Sequence, residues 1–173
     1  MFRGRFTIVF FLAILPFLTA RAEGFVTLDG VLSGRKVYQV TQDADGFVWI
    51  YTQNGIDRFD GHTVKTYRIE DLPQSRDQIL SSTRLECDNS GVLWMAVKNG
   101  RLYHYEKGSD SFRLELDLRK NHPGISLYSI CFPGSGTVAL GTSEGIFFLT
   151  EGGEEVRYVT DRIIKAIAVK GPE

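Results

Sequence analysis

One pentapeptide of this sequence has the spacing of a catalytic motif. Residues 141–145, Gly-Thr-Ser-Glu-Gly, match G-x-S-x-G, which places a nucleophilic serine on a sharp turn between a strand and a helix. That chemistry requires a helix directly after Gly145. The residues that follow, 146–149, read Ile-Phe-Phe-Leu and are typical of a strand. We therefore interpret the motif as a β-hairpin and predict no serine hydrolase.

The histidines and cysteines do not show the spacing of metal ligands. His62, His104 and His122 stand far apart, and neither Cys87 nor Cys131 belongs to a C-x-x-C pair. We predict neither a metal site nor a cofactor. The two cysteines lie 44 residues apart, and we favour buried free thiols over a disulfide, which needs Cα atoms within about 7 Å.

A set of polar residues could bind a ligand instead. Side-chain amides both donate and accept hydrogen bonds, and cations bind carboxylates, so the two together suit sugar hydroxyls or acidic sugars. The candidates are Gln53, Asn54, Lys98, Asn99, Arg119 and His122. They are far apart in the sequence, so only a fold that gathers hairpin turns and connecting segments on one face could make them a site.

A repeat of 45 residues predicts such a fold. Three blocks, 45–60, 90–105 and 135–150, align without a gap. A period of 40 to 50 residues built from short strands is typical of β-propellers, with one blade to each repeat. Trp49 and Trp94 share an aligned column, and we predict that both pack in the core. Two further columns contain only glycine: Gly46, Gly91 and Gly136, and then Gly55, Gly100 and Gly145.

We predict an all-β fold, a partial β-propeller with three four-stranded antiparallel blades and the first strand of a fourth. The blades cover about residues 36–69, 83–118 and 127–159. The next blade would start within 163–173, with a strand from Ile163 to Val169.

Local turn signals support this assignment. Asn54-Gly55 and Asn99-Gly100 favour type I′ hairpin turns, whose two central residues both need φ > 0. Asp43 and Asp88 end the first strands of two blades. We expect their carboxylates to accept hydrogen bonds from turn N–H groups.

The N-terminus predicts export. Arg3 and Arg5 precede a 15-residue apolar stretch, and Ala20-Arg21-Ala22 has the small-residue spacing of a cleavage site. The stretch is shorter than the roughly 18 residues needed to span a membrane. We therefore predict a signal peptide at 1–22 and a periplasmic, incomplete propeller at 23–173. That part carries 17 basic and 21 acidic residues, a net charge of −4, which argues against binding nucleic acid.

Three repeats do not complete a propeller. Propellers close as rings of roughly four to eight blades, and terminal repeats need capping. We therefore expect this sequence to be the N-terminal part of a longer protein.

The repeat blocks resemble two-component regulator propeller repeats. The resemblance rests on D-G-F-V-W-I-Y-T-Q-N-G-I-D-R-F-D-G, which starts at Asp45, and on S-G-V-L-W-M-A-V-K-N-G, which starts at Ser90. The third block departs from the pattern, with Ala139 in place of the tryptophan. The resemblance implies the N-terminal periplasmic sensor part of a (hybrid) two-component histidine kinase, anchored in the inner membrane, with the kinase outside this chain.

The function that this resemblance implies is non-catalytic sensing of a ligand, an oligosaccharide or another small molecule. The implied partners are the remaining blades and signalling domains of a longer chain, and a second copy in a dimeric full-length sensor. Three alternatives remain open: a fragment of an extracellular propeller enzyme acting on polysaccharide, an interaction scaffold, and the input domain of a diguanylate cyclase.

Overall fold

The chain folds into three four-stranded antiparallel sheets, each a meander in which strands adjacent in sequence are also adjacent in space. The computed structural model describes residues 27–68, 83–134, 136–150 and 162–168, and the backbone of 155–158. The predicted signal peptide lies outside these ranges and stays a prediction. The predicted all-β class and the four-stranded antiparallel sheets are confirmed.

Each sheet lies within one of the predicted blade segments. Sheet 1 contains β1 (Val37–Gln42), β2 (Val48–Thr52), β3 (Gly55–Phe59) and β4 (Val64–Tyr67). Sheet 2 contains β5 (Thr83–Cys87), β6 (Leu93–Val97), β7 (Arg101–Glu106) and β8 (Ser111–Asp117), followed by one turn of 3-10 helix at Leu118–Lys120. Sheet 3 contains β9 (Leu127–Gly134), β10 (Thr137–Thr142), β11 (Gly145–Leu149) and β12 (Glu155–Tyr158).

The hairpin between β2 and β3 is not the predicted type I′ turn. Thr52 pairs with Gly55, so Gln53 and Asn54 are the turn residues, and neither has a positive φ. Gly55 is the first residue of β3, where a Cβ would lie 2.7 Å from the backbone oxygen of Tyr67. The Asn-Gly pair therefore marks a close approach of β4 to β3, which only glycine permits.

The corresponding hairpin of sheet 2 has one more turn residue. Residues 98–100 separate β6 from β7, and Gly100 adopts φ +89°, as glycine commonly does in three-residue hairpin loops. Gly145 begins β11 just as Gly55 begins β3. Gly100 is thus not structurally equivalent to those two glycines. The gap-free alignment of the three blocks is wrong after this turn, where β7 is shifted by one residue.

The predicted first strand of a fourth blade is not seen among its described residues. Residues 162–168 form no strand, and one backbone bond, from the Ile164 N–H to the Thr142 oxygen at 2.9 Å, ties them to sheet 3. In all three sheets the first strand is held by the second strand of the same sheet. No such second strand follows Ile164 within the described ranges, so the ladder bonds that would define a strand are missing.

Two hydrophobic cores join the sheets. The first lies between sheets 1 and 2 and includes Trp49, Leu85 and Met95, all fully buried. The second lies between sheets 2 and 3 and includes Leu140 and Phe147. Burial of a large apolar side chain stabilises a fold by about 1.5–3 kcal/mol, so these cores fix how the sheets stack. The prediction that Trp49 packs in the core is confirmed, whereas Trp94 is half-buried at the edge of the second core.

Asp43 and Asp88 close the turns after β1 and β5, as predicted. Oδ1 of each carboxylate accepts the N–H of the residue four positions later at 2.9 Å. Each Oδ2 also accepts an indole N–H, from Trp49 at 2.7 Å and from Trp94 at 2.9 Å. This second bond was not predicted. It fixes the tryptophan against the turn and explains why the aspartate and the tryptophan recur together six residues apart.

Candidate functional site

The serine of the G-x-S-x-G motif lies in a tight β-hairpin turn. Ser143 follows β10 directly, and β11 starts at Gly145. Its Oγ accepts the Ser126 N–H at 2.9 Å, and its own N–H donates to the Ser126 oxygen at 2.8 Å. A strand occupies the place where the catalytic motif needs a helix. The predicted hairpin is confirmed, and Ser143 serves to hold the segment that enters sheet 3.

Four of the six candidate residues lie in two neighbouring parts of the chain. These are the turn at 98–100 and the connecting segment, residues 118–126, which joins sheet 2 to sheet 3. The Leu127 N–H donates to the Lys98 oxygen at 2.9 Å, and the Leu118 N–H donates to the Gly100 oxygen at 3.0 Å. A Cβ on Gly100 would lie 3.5 Å from Cγ of Arg119. The turn that carries Lys98 and Asn99 and the connecting segment therefore share one face, whereas the prediction placed all six candidates there.

Arg119 is engaged by a carboxylate of its own segment. Its Nε and Nη2 donate to Asp117 at 2.8 and 2.7 Å, and Arg101 Nε reaches the same carboxylate at 3.2 Å. These donors hold the pKa of Asp117 well below its usual range, with Arg119 contributing most, and the carboxylate in turn raises the pKa of Arg119. A ligand at Arg119 would therefore meet a cation that is already paired with a carboxylate, which Arg101 shares.

His122 is likewise held in place. Its Nδ1 lies 3.0 Å from Oε2 of Glu144, and its ring meets Phe147 edge-on, with 4.9 Å between the ring centroids. Glu144 belongs to the hairpin turn of sheet 3, so this contact joins the connecting segment to the next sheet. His122 therefore aligns the connecting segment with sheet 3, and its imidazole is also suited to contact a ligand.

Gln53 and Asn54 lie at a different place. They line an open cavity of about 750 Å³ together with residues 28–30 and 32–35. The Gln53 N–H donates to the Lys36 oxygen, and the Asn54 amide donates to the Ser33 oxygen. No contact found within the described ranges joins this pair to the other four candidates. The predicted set therefore divides into two groups, one at sheet 1 and one between sheets 2 and 3.

A buried carboxylate near the first group was not predicted. Asp57 of β3 is fully buried, and its Oδ2 accepts both the N–H and the hydroxyl of Ser33 at 2.8 Å. Its Oδ1 accepts the Thr66 hydroxyl at 2.6 Å, and the Ser33 hydroxyl also contacts Thr52 Oγ1 at 2.8 Å. These bonds attach the segment before β1 to sheet 1. The sequence signal for this buried carboxylate was an aspartate at a position of the repeat that is otherwise apolar.

A groove between sheets 2 and 3 was also missed. It has a volume of about 380 Å³, and its walls include Trp94, Phe132, Asp88 and Glu115. The rings of Trp94 and Phe132 lie 5.9 Å apart. No single residue of the sequence marks this groove, because it depends on how sheets 2 and 3 meet.

The part of the chain that the structure describes contains neither a candidate metal cluster nor a candidate membrane-spanning helix. No three His, Cys, Asp or Glu side chains are grouped there so as to hold a metal ion. None of its helices has the length and hydropathy to cross a membrane. Cys87 and Cys131 are free thiols, and partial burial raises the pKa of each.

Known proteins with similar sequence or structure include sensors and an enzyme. Seventy residues of this chain are 37% identical to Histidine kinase P4 from Formosa agariphila, covering 38% of this chain and 5% of the kinase. The extracellular domain of the hybrid two component system BT4673 from B. thetaiotaomicron has a TM-score of 0.65 at 19% identity, over 83% of this chain and 19% of that domain. The extracellular domain of BT3049 from the same organism has a TM-score of 0.59 at 24% identity, over 79% of this chain and 20% of that domain.

A streptogramin B lyase shares the fold as well, with a TM-score of 0.60 at 19% identity over 76% of this chain and 43% of the lyase. A scan against protein-family models finds no match. The chain spans about a twentieth of the kinase and about a fifth of each extracellular domain. The predicted resemblance is confirmed: the chain has the propeller-like fold of extracellular domains of hybrid two-component systems, and part of its sequence is similar to a histidine kinase.

Proposed function

We propose that this chain is a non-catalytic, periplasmic, ligand-sensing propeller segment of a two-component sensor and that its ligand is a carbohydrate. The observation that carries the proposal is the combination of two likenesses. The sheets superpose on extracellular domains of hybrid two-component systems, and an independent comparison of sequence finds a histidine kinase. Both point to the same class of protein, in which sensing and phosphotransfer lie in different parts of one chain.

The shared face of the 98–100 turn and the connecting segment is the proposed contact for the ligand. Hairpin turns and connectors lie on the surface of a rigid set of sheets, where binding residues can vary without loss of the fold. Lys98 and Asn99 supply an ammonium and an amide that suit acidic and neutral sugars. Backbone hydrogen bonds from Leu118 and Leu127 hold this turn in place, so little ordering would be required on binding.

A propeller enzyme is the second candidate, because the streptogramin B lyase shares the fold at a similar TM-score. In our proposal, binding changes the orientation of this segment relative to the rest of a longer sensor, and no bond in the ligand is broken. The two candidates therefore differ in whether the ligand is recovered unchanged after incubation with the protein.

The test is calorimetric titration of the full chain with a panel of neutral and uronic-acid oligosaccharides. The double variant Lys98→Ala/Asn99→Ala should weaken binding of the cognate sugar at least about tenfold, since two polar contacts are removed. The control is Arg113→Ala, which removes a mostly exposed cation from the outermost strand of the same sheet. Equal affinity in wild type and both variants would overturn the assigned face. Cleavage of the sugar would favour the enzyme.

A further inference from the structure

The contact between sheets 1 and 2 is the counterpart, within this protein, of the groove between sheets 2 and 3, and it indicates which kind of group the groove could bind. Trp49 faces Arg58 across the ladder of sheet 1, and Trp94 faces His104 across the ladder of sheet 2. The positions of Arg58 and His104 are therefore equivalent. The contact between sheets 1 and 2 shows how a side chain at this position meets the next sheet.

Between sheets 1 and 2 this position is filled by a cation. The guanidinium carbon of Arg58 lies 4.6 Å from the ring centroid of Phe47 and 5.7 Å from that of Trp49. It is also 5.7 Å from the ring of Tyr105, which belongs to sheet 2. Arg58 Nη1 donates to Asp110 Oδ1 at 3.0 Å. The arrangement is a guanidinium enclosed by aromatic faces and closed by a carboxylate of the next sheet.

Between sheets 2 and 3 the same position leaves an open space. His104 is shorter than arginine, and its ring turns towards Trp94, with 5.3 Å between the centroids. Leu149 takes the place of Tyr105 in the wall contributed by the next sheet. Trp94 and Leu149 line a groove of about 380 Å³ at this contact, and that volume is within the size range of sites for small ligands.

The chemistry of the groove matches a cation. Among the residues that the structure describes, its walls contain two carboxylates, Asp88 and Glu115, together with Trp94 and Phe132, and no lysine or arginine. Asp88 already accepts four hydrogen bonds, from Ser90, Val92 and Trp94, so it contributes charge and little else. Glu115 is a third exposed, and its Oε2 lies 3.4 Å from Nδ1 of His104. It is the carboxylate available to an incoming donor.

We propose that this groove binds a small organic cation, a ligand bearing a guanidinium or a primary ammonium, with the cation against Trp94 and hydrogen-bonded to Glu115. The ligand takes the place that the Arg58 side chain occupies one sheet earlier. The proposal stands apart from the carbohydrate site, which lies on the face formed by the 98–100 turn and the connecting segment. A sensor with both sites would respond to two chemically different signals.

The test is titration of the full chain with agmatine, which carries a guanidinium and an ammonium, followed by calorimetry and by the fluorescence of the two tryptophans. We expect saturable binding that weakens as salt is raised, since an ion pair near the surface is screened. Glu115→Gln keeps the shape and removes the charge, and it should weaken agmatine binding at least about fivefold. The matched control, Glu106→Gln, neutralises an exposed carboxylate of the adjacent strand and should leave affinity unchanged.

Two results would overturn the proposal. One is agmatine binding that is absent, or equal in wild type and Glu115→Gln. The other is 1,5-pentanediol, an uncharged probe of similar length, binding as tightly as agmatine. Thr137→Arg provides a second variant, because it introduces a cation at the groove wall and should compete with agmatine. Titration of Glu115→Gln with oligosaccharides separates the two proposed sites. Weaker agmatine binding with unchanged sugar binding concerns the cation site alone, and absent sugar binding with intact agmatine binding concerns the carbohydrate site alone.

Discussion

The contact between sheets 1 and 2 and the contact between sheets 2 and 3 come from the same repeat and each contain a hydrophobic core, yet polar side chains contribute to them unequally. Polar groups bridge the first. The Gln39 side chain exchanges two hydrogen bonds with the backbone of Leu85, and Asp110 accepts from donors on both sheets. The second has a side-chain bond of this kind from Asn89 Nδ2 to the Phe132 oxygen at 3.4 Å, and apolar packing and the connecting segment supply the rest of the contact beside the groove. A repeat therefore conserves the stacking of sheets while the chemistry between them varies.

The difference follows from a few substitutions at equivalent positions. Arg58 and Tyr105 enclose the first contact, whereas His104 and Leu149 stand in their places at the second. Gln39 of β1 corresponds to the exposed Arg84 of β5 in the 45-residue repeat, and no hydrogen bond described for Arg84 reaches sheet 3. The first contact thus has more polar side-chain bonds between its sheets than the second, and the second leaves room for a ligand.

The largest expected difference concerns the two tryptophans. Trp49→Ala removes a fully buried ring that contacts Tyr67, Tyr105 and Phe112, and it should lower the free energy of unfolding by about 3–5 kcal/mol. Trp94→Ala removes a half-buried ring beside an open groove and should cost about half as much. Urea unfolding of both variants of the full chain, followed by circular dichroism, measures the two costs.

A cost for Trp94→Ala equal to that for Trp49→Ala would contradict the comparison, because it would mean that the second contact depends on its tryptophan as strongly as the first. Each variant also frees one oxygen of an aspartate, Asp43 or Asp88. This loss is the same in both, so it cancels when the two costs are compared.

A smaller effect is expected where the turn of sheet 2 meets sheet 1. Gly91 has φ +84°, and a Cβ on it would overlap the side chain of Ala44. Gly61 has a similar φ, +95°, but no atom lies within 4 Å of its Cβ position. Gly91→Ala and Gly61→Ala therefore share the cost of the left-handed backbone, about 1–2 kcal/mol. The additional loss in Gly91→Ala, measured as the difference in urea midpoint, reports the packing of sheet 2 against sheet 1.

The double variant Gly91→Ala/Ala44→Gly supplies the control, since it removes the side chain that Gly91→Ala would meet. It should recover the additional loss and leave only the backbone cost. Failure to recover any stability would show that the two turns do not pack as described.

The sequence predicted the strands because they obey local rules. The repeat and its glycine and aspartate turns placed each of the three sheets within its predicted blade segment. The hairpin of sheet 2 was mispredicted, because an alignment at a fixed spacing cannot show the extra turn residue that Gly100 accommodates. The hydrogen-bond partners of Asp57 and Arg58 could not be predicted for a different reason. They depend on which residues of neighbouring segments meet, and the 45-residue period gives no information on that.

The candidate site was predicted less well. Lys98, Asn99 and Arg119 do share a face, because the order of strands fixes where turns and connectors lie. The engagement of Arg119 by Asp117 was not foreseen, since an arginine two residues from an aspartate pairs with it only when the backbone turns between them. The groove at Trp94 could not be predicted, because it depends on how sheets 2 and 3 meet, which the 45-residue period does not show.

The smallest of these effects tests the polar bridge between sheets 1 and 2. Asp110 accepts bonds from Arg58, Lys65, Tyr67 and Tyr105, and these donors, Lys65 foremost, hold its pKa well below the usual 3.8. Because the folded pKa is lowered, the bridge contributes its full stability above pH 3.8 and loses it as the pH falls below that value. Asp110→Asn should cost about 1–2 kcal/mol at pH 7, and asparagine tolerates its φ of +49°. Urea unfolding at pH 7 and at pH 3 should show the difference from wild type shrinking at the lower pH. Asp45→Asn, which removes only an exposed pair with Lys107, should cost less than about 0.5 kcal/mol, and an equal cost for the two variants would mean that the bridge at Asp110 is worth no more than a surface ion pair.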